Sequence, residues 1–116
     1  YLSSDQRSID DYIADPLCGF KKTTQMWQDL ANGFTNLWTK KSFGMIDENI
    51  PFYLLTGDKD AVNAHGKQAE EIHNLLIQIG FKSEFRVFKN MRHEPLQELE
   101  RQKVFESINK FFSQNI

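Results

Sequence analysis

The sequence predicts an α/β fold with a parallel sheet, on three observations. Residues 50–55, Ile-Pro-Phe-Tyr-Leu-Leu, form an unbroken apolar run. Residues 83–88 alternate, with Phe85 and Val87 set against Glu84 and Arg86. Between them lies a stretch of helical periodicity, with Ala69, Ile72, Leu76 and Ile79 on one face and Leu75 beside them. Strand, helix and strand in that order make a βαβ unit, and one more amphipathic stretch follows it.

Residues 1–24 are polar and turn-rich, with a short apolar stretch at Tyr12-Ile13-Ala14. A helix is expected over 8–14, ended by Pro16, because the residue before a proline is pushed out of the helical region. A second helix starts at Thr24, with Trp27, Leu30, Phe34 and Leu37 on one stripe and Thr23 or Thr24 as the cap. Gly33 weakens it by about 1 kcal/mol relative to Ala, and Gly44 closes the region. In the run 50–55, Pro51 fits only the first position or an edge. A strand apolar on both faces belongs inside a sheet covered by helices on both sides. The turn Thr56-Gly57-Asp58-Lys59-Asp60 ends it. The next helix spans about 66–79, and Gly80 is its expected left-handed C′ residue. After the strand 83–88 comes a loop over 90–95. A last helix covers about 97–112, with Val104, Ile108, Phe111 and Phe112 facing inward. Two parallel strands do not make a stable sheet alone, so the run 50–55 calls for strands beyond these 116 residues.

Bulk properties narrow the function. The 116 residues suit one small domain. The net charge is −2, with no basic footprint for nucleic acid and no Lys/Arg run for an anionic membrane surface. Ten Phe residues imply a sizeable buried surface. No apolar run approaches the roughly 18 residues of a membrane span. The single cysteine, Cys18, is compatible with a reducing compartment and is expected as a small buried hydrophobe. A cytoplasmic protein is expected, with peripheral membrane association left open. The start at Tyr1 rather than Met reads as a cut inside a longer protein, so the lack of a secretory-leader pattern in these residues says little about the original N-terminus.

Chemistry concentrates just past the ends of the two strands, where α/β folds place their sites. Asp60 follows the first strand and His93, in Met91-Arg92-His93-Glu94, follows the second. The interval between them is about what a crossover through one helix consumes. A carboxylate and an imidazole so placed can form the acid–histidine half of a nucleophilic triad. Plainer readings stand beside this one. Asp60 can be a turn aspartate bonding its own backbone, Asp58 is the competing carboxylate, and His93 can be an ordinary loop histidine. Asp58 is expected as a solvated turn residue, Arg92 and Glu94 as structural, and His65 and His73 as solvated. No Cys/His/carboxylate spacing suggests a metal, and no cofactor is expected. Trp27, Phe34 and Trp38 read as core residues.

Residues 51–112 resemble the last two strands and last helix of the serine aminopeptidase-like branch of the α/β-hydrolases, which includes monoacylglycerol lipases and bacterial lysophospholipases. The resemblance rests on the G-x-x-D acid turn Gly57-Asp58-Lys59-Asp60 and the histidine turn Arg92-His93-Glu94, followed by Glu98-Leu99-Glu100-Arg101. The stretch Asp15-Pro16-Leu17-Cys18-Gly19-Phe20 is similar to the segment that closes the cap in bacterial members. The resemblance implies the C-terminal βαβα part of a three-layer α/β-hydrolase core over 41–116, preceded by the end of a helical cap over 1–40. It also implies a catalytic Asp60–His93 pair and a lipid-like acyl ester substrate. In this family the region around Trp27, Phe34 and Trp38 borders the acyl pocket, so that role stays open for them. The family's nucleophile, a serine in G-x-S-x-G, is absent from these residues. Ser42 has Gly44 after it but Lys40 before it, and Cys18 has Pro16 and Phe20 at those offsets. The expected function is therefore the C-terminal part of a serine ester hydrolase, completed by an N-terminal part of the same protein or by another chain. The rival is a non-catalytic α/β binding or interaction module.

Overall fold

The computed structural model describes residues 1–35, 37 and 39–115. The elements run α1 (Gln6–Ala14), α2 (Thr24–Phe34), α3 (Lys40–Phe43), β1 (Phe52–Gly57), α4 (Lys67–Gln78), β2 (Ser83–Phe88), a 3₁₀ turn (Pro95–Gln97) and α5 (Arg101–Asn115). The strands β1 and β2 pair in parallel, in a register from Phe52 opposite Ser83 to Gly57 opposite Phe88. This is the α/β architecture that the sequence predicts.

β1 begins at Phe52, two residues later than the apolar run, because Pro51 has no N–H to give the ladder. The backbone amide of Phe52 donates to Lys82 at 2.8 Å, next to the start of the register. Its side chains then alternate between two apolar layers. Phe52 and Leu54 pack with Phe43, Leu76 and Phe81, together with Ile72, Leu75 and Ile79 of α4. Leu55 packs with Phe88, Met91 and Val104, together with Ile108 of α5. The Tyr53 ring stacks on Phe111 at 5.0 Å, and its hydroxyl bonds the Ser107 hydroxyl. The sheet is thus sandwiched between α4 and α5, which explains why β1 is apolar on both faces.

Helix ends follow local chemistry. Asp5 caps α1, accepting from the Arg7 N–H at 3.1 Å, so this helix starts earlier than its apolar residues suggest. Thr23 caps α2 through the Met26 N–H at 3.2 Å. Gly80 closes α4 with φ +100°, the left-handed C′ conformation expected. α5 starts at Arg101, not near Gln97, because residues 95–97 are taken up in the 3₁₀ turn and the Glu98 side chain is engaged elsewhere.

Several expected core residues are not buried. Trp27 is 55% and Phe34 54% exposed, and Leu30 and Leu37 are exposed as well. The stripe on α2 is amphipathic as predicted, but among the described residues its apolar face meets no layer of the core. Trp38 lies outside the described residues. Phe112 is exposed, since the inward stripe of α5 runs through Val104, Ser107 and Phe111 and leaves it on the flank. Cys18 is only half-buried. His73 is not simply solvated: its Nδ1 lies 2.8 Å from the Ser83 hydroxyl and its ring stacks on Phe85. His65 is exposed, as expected.

Candidate active site at the strand ends

Because β1 and β2 are parallel and in register, their C-terminal ends open on the same edge of the sheet. The two following loops meet there. The Lys59 N–H donates to the Met91 carbonyl at 2.9 Å, and the Asp58 N–H donates to the Phe88 carbonyl at 3.0 Å. The approach is so close that a Cβ on Gly57 would lie 2.1 Å from the Met91 carbonyl oxygen. Only glycine fits there, which gives the first position of the G-x-x-D turn its physical reason. Asp58 is not merely a solvated turn residue. Its carboxylate accepts from the Asn90 N–H at 2.7 Å and ties the acid turn to the end of β2.

The turn closes with the Asp60 N–H donating to Gly57 at 3.2 Å, and this carries the Asp60 carboxylate inward, where the residue is 2% exposed. The Val62 N–H donates to Oδ1 at 2.9 Å. His93 Nδ1 lies 3.1 Å from Oδ1 and 3.0 Å from Oδ2. An ionised carboxylate can only accept, so the facing nitrogen is the one that carries the proton. The neutral ring then keeps its lone pair on Nε2, the state a general base needs. The His93 side chain is 38% exposed against 3% for Asp60, so the pair runs from a buried anchor to an accessible imidazole. Beyond Asp60 the chain turns through two left-handed residues, Ala64 (φ 54°) and His65 (φ 59°), at a cost of about 1 kcal/mol each. The His65 N–H donating to the Asp60 carbonyl at 2.7 Å helps hold that turn.

The structure thus brings together Asp60 and His93, the two residues singled out in the sequence. It also shows a residue that sequence reasoning missed. Glu98 is 1% exposed, and its carboxylate accepts from the Arg92 N–H at 2.6 Å, the Ser4 N–H at 3.0 Å and the Ser4 hydroxyl. Burial pushes its carboxyl up, but the hydrogen bonds from Ser4 and from the backbone of Arg92 and Leu99 outweigh burial and hold it below its ordinary value. In the sequence Glu98 reads as one of several charges opening a helix, and nothing local marks it as buried. Arg92 donates from its guanidinium to the Ser3 carbonyl at 3.3 Å, and the Glu94 N–H donates to Leu2 at 2.9 Å, so the expected structural roles have named partners.

Neither nucleophile considered in the sequence gains from the structure. Burial and the neighbouring Asp15 carboxylate push the Cys18 thiol up, away from the reactive thiolate. Ser42 sits in the short helix α3, its hydroxyl 2.9 Å from that of Thr39. Among the described residues, no group of three or more His, Cys, Asp or Glu side chains is placed to hold a metal ion.

Known proteins place this geometry in a family. No curated protein matches the chain at a significant level. A highly thermostable carboxyl esterase from Bacillus coagulans, crystallised in complex with glycerol, superposes with a TM-score of 0.84 at 23% identity. The match covers 97% of this chain and 37% of that one, so this chain spans little more than a third of the esterase's length. The likeness establishes the α/β-hydrolase fold. The family model described as serine aminopeptidase, S33, matches residues 1–100, the region that holds both the Asp60 turn and the His93 turn. The chain belongs to the serine aminopeptidase, S33, family of α/β-hydrolases.

Proposed function

We propose that this chain supplies the acid and the histidine of a serine ester hydrolase acting on a lipid-like acyl ester, such as a lysophospholipid or monoacylglycerol. The observation that carries the reading is the contact between the buried Asp60 carboxylate and His93 Nδ1 at the C-terminal edge of two parallel strands. In this mechanism Asp60 fixes the tautomer and stabilises the imidazolium. His93 accepts the proton of a serine hydroxyl through Nε2 as the serine attacks the ester carbonyl. It then returns that proton to the leaving alcohol, and the acyl-enzyme is hydrolysed by water activated in the same way. The serine and the oxyanion donors belong, in this reading, to sequence outside the 116 residues. They come from an N-terminal part of the same protein or from another chain that also completes the sheet. Residues 1–40 are then the end of the cap and 41–116 the end of the core. The exposed apolar face of α2, with Trp27, Leu30 and Phe34, supports an acyl-chain substrate. We place the protein in the cytoplasm, peripheral to membranes where it meets lipid.

The test compares intact enzyme with its His93→Ala and Asp60→Asn variants on a nitrophenyl ester and on a lysophospholipid. His93→Ala is expected to lose kcat on the order of a million-fold, as when the base of such a triad is removed. Asp60→Asn should keep the fold and lose about 10⁴-fold, because an amide favours the wrong tautomer. Residues 1–116 alone should show no turnover. Equal rates for wild type and His93→Ala would end the enzyme reading and leave a non-catalytic binding module as the better account.

A further inference from the structure

The loop that carries His93 has no regular structure, yet the backbone donors of residues 92–94 are engaged. Residues 92–94 offer three consecutive N–H groups. That of Arg92 goes to the Glu98 carboxylate at 2.6 Å, that of His93 to the Tyr1 carbonyl at 3.4 Å and that of Glu94 to the Leu2 carbonyl at 2.9 Å. The first four residues of the chain therefore lie along the histidine loop as a strap. One side chain joins the two. Glu98 Oε1 holds the Arg92 N–H, while Oε2 holds both the N–H and the hydroxyl of Ser4. From the other side, the acid turn presses on Met91 through the Lys59 N–H. The backbone that carries the His93 ring lies between these two contacts.

We propose that Glu98 is a positioning residue for the acid–histidine pair: its buried carboxylate clamps the strap of residues 1–4 to the histidine loop and so sets the Nδ1-to-Asp60 geometry. The inference rests on the reading of Asp60 and His93 as catalytic and adds a component to that site. A carboxylate is the group the position demands. The two backbone N–H donors reach different oxygens, and only an ionised carboxylate offers acceptors on both. An amide in its place turns an NH₂ group toward one of those donors and must release it.

The experiment uses Glu98→Gln in the intact enzyme, with three companions. Glu98→Gln should lower kcat by about 100-fold, the scale of an ångström-sized displacement of a catalytic group, with KM unchanged. The downfield His93 Nδ1–H resonance should weaken or vanish at low temperature while the circular dichroism spectrum is retained. Ser4→Ala, which removes one donor and keeps the carboxylate, should show the same kcat-only loss at smaller size, and it serves if Glu98→Gln does not fold. Arg101→Gln removes the guanidinium from Asp5 and from the Glu98 carbonyl, at 2.9 and 3.2 Å, and touches neither the Glu98 carboxylate nor residues 92–94. It should lower the thermal midpoint and leave kcat and the Nδ1–H resonance as in wild type. His93→Ala is the reference. If it is inactive while Glu98→Gln and Ser4→Ala turn over at the wild-type rate, the clamp is overturned and the catalytic pair stands. If Arg101→Gln loses as much kcat as Glu98→Gln, the role is structural support and the proposal is also overturned. Wild-type rates in His93→Ala overturn both readings.

Discussion

At the scale of single residues, the site depends on one absence of side chain. Gly57 lets the acid turn rest directly on the backbone of residues 91 and 92, where a methyl group would fall within 2.5 Å of two carbonyl oxygens. Backbone cannot step aside as a flexible side chain can, so Gly57→Ala should separate the two loops. We expect a loss of about 1–3 kcal/mol or more from this overpacking, measured by chemical denaturation. Wild-type stability in Gly57→Ala would show that the loops do not meet this closely. The glycine, Asp60 and His93 were legible in the sequence because turn chemistry and strand ends are local signals. The tasks of Asp58 and Glu98 were not. Asp58 reaches the amide of Asn90, and Glu98 reaches Ser4, partners 32 and 94 residues away that no local pattern announces.

At the scale of elements, the periodic segments were the readable ones. The apolar run of β1, the stripe of α4 and the Gly80 stop each follow from spacing or from backbone chemistry. The start of α5 was misread, because an apolar period cannot reveal that residues 95–97 wind more tightly and that Glu98 bonds across to another segment. That segment, α1 with its preceding strap, is held to α5 and to the turn before it by two carboxylates. Asp5 bonds the Arg101 guanidinium at 2.9 Å, and this bond is the main reason its carboxyl lies below the ordinary 3.8. Glu98 likewise lies below its ordinary 4.5, with Ser4 and the Arg92 amide overcoming burial. Both groups are more acidic folded than unfolded, so the unfolded chain takes up more protons as the pH falls. Their contribution is full above the ordinary values and is lost as the pH drops from about 4.5 through the lower folded values. Acid titration should therefore release the strap first, seen as early amide exchange at residues 92–94 while β1 and β2 stay protected. Simultaneous loss of both would contradict it.

At the scale of the whole molecule, the chain is less compact than its length allows. Its radius of gyration is 16.3 Å, against about 13 Å for a compact domain of this size. Apolar groups remain outside on two sides. One is the face of α2, with Met26, Trp27, Leu30 and Phe34. The other is a hollow of about 780 Å³ lined by Leu37, Phe43, Met45, Ile46 and Phe52, beside the start of β1. Apolar surface on this scale drives association, so residues 1–116 in isolation should self-associate or recruit a completing chain. Sedimentation of the dilute chain checks this, and a stable monomer that binds no hydrophobic dye would count against it. The strap carries a consequence for how such a molecule is made. Ser4 and Glu98 are 94 residues apart, and closing a loop of that length costs about 4 kcal/mol in chain entropy before any bond forms. β1 and β2, joined by a short crossover, close a much smaller loop. Sheet and helices can therefore assemble early, while the histidine waits for the chain's first residues to arrive. On the clamp proposed for Glu98, the contact between Asp60 and His93 is completed late in folding, and a partly unfolded chain carries both residues without it.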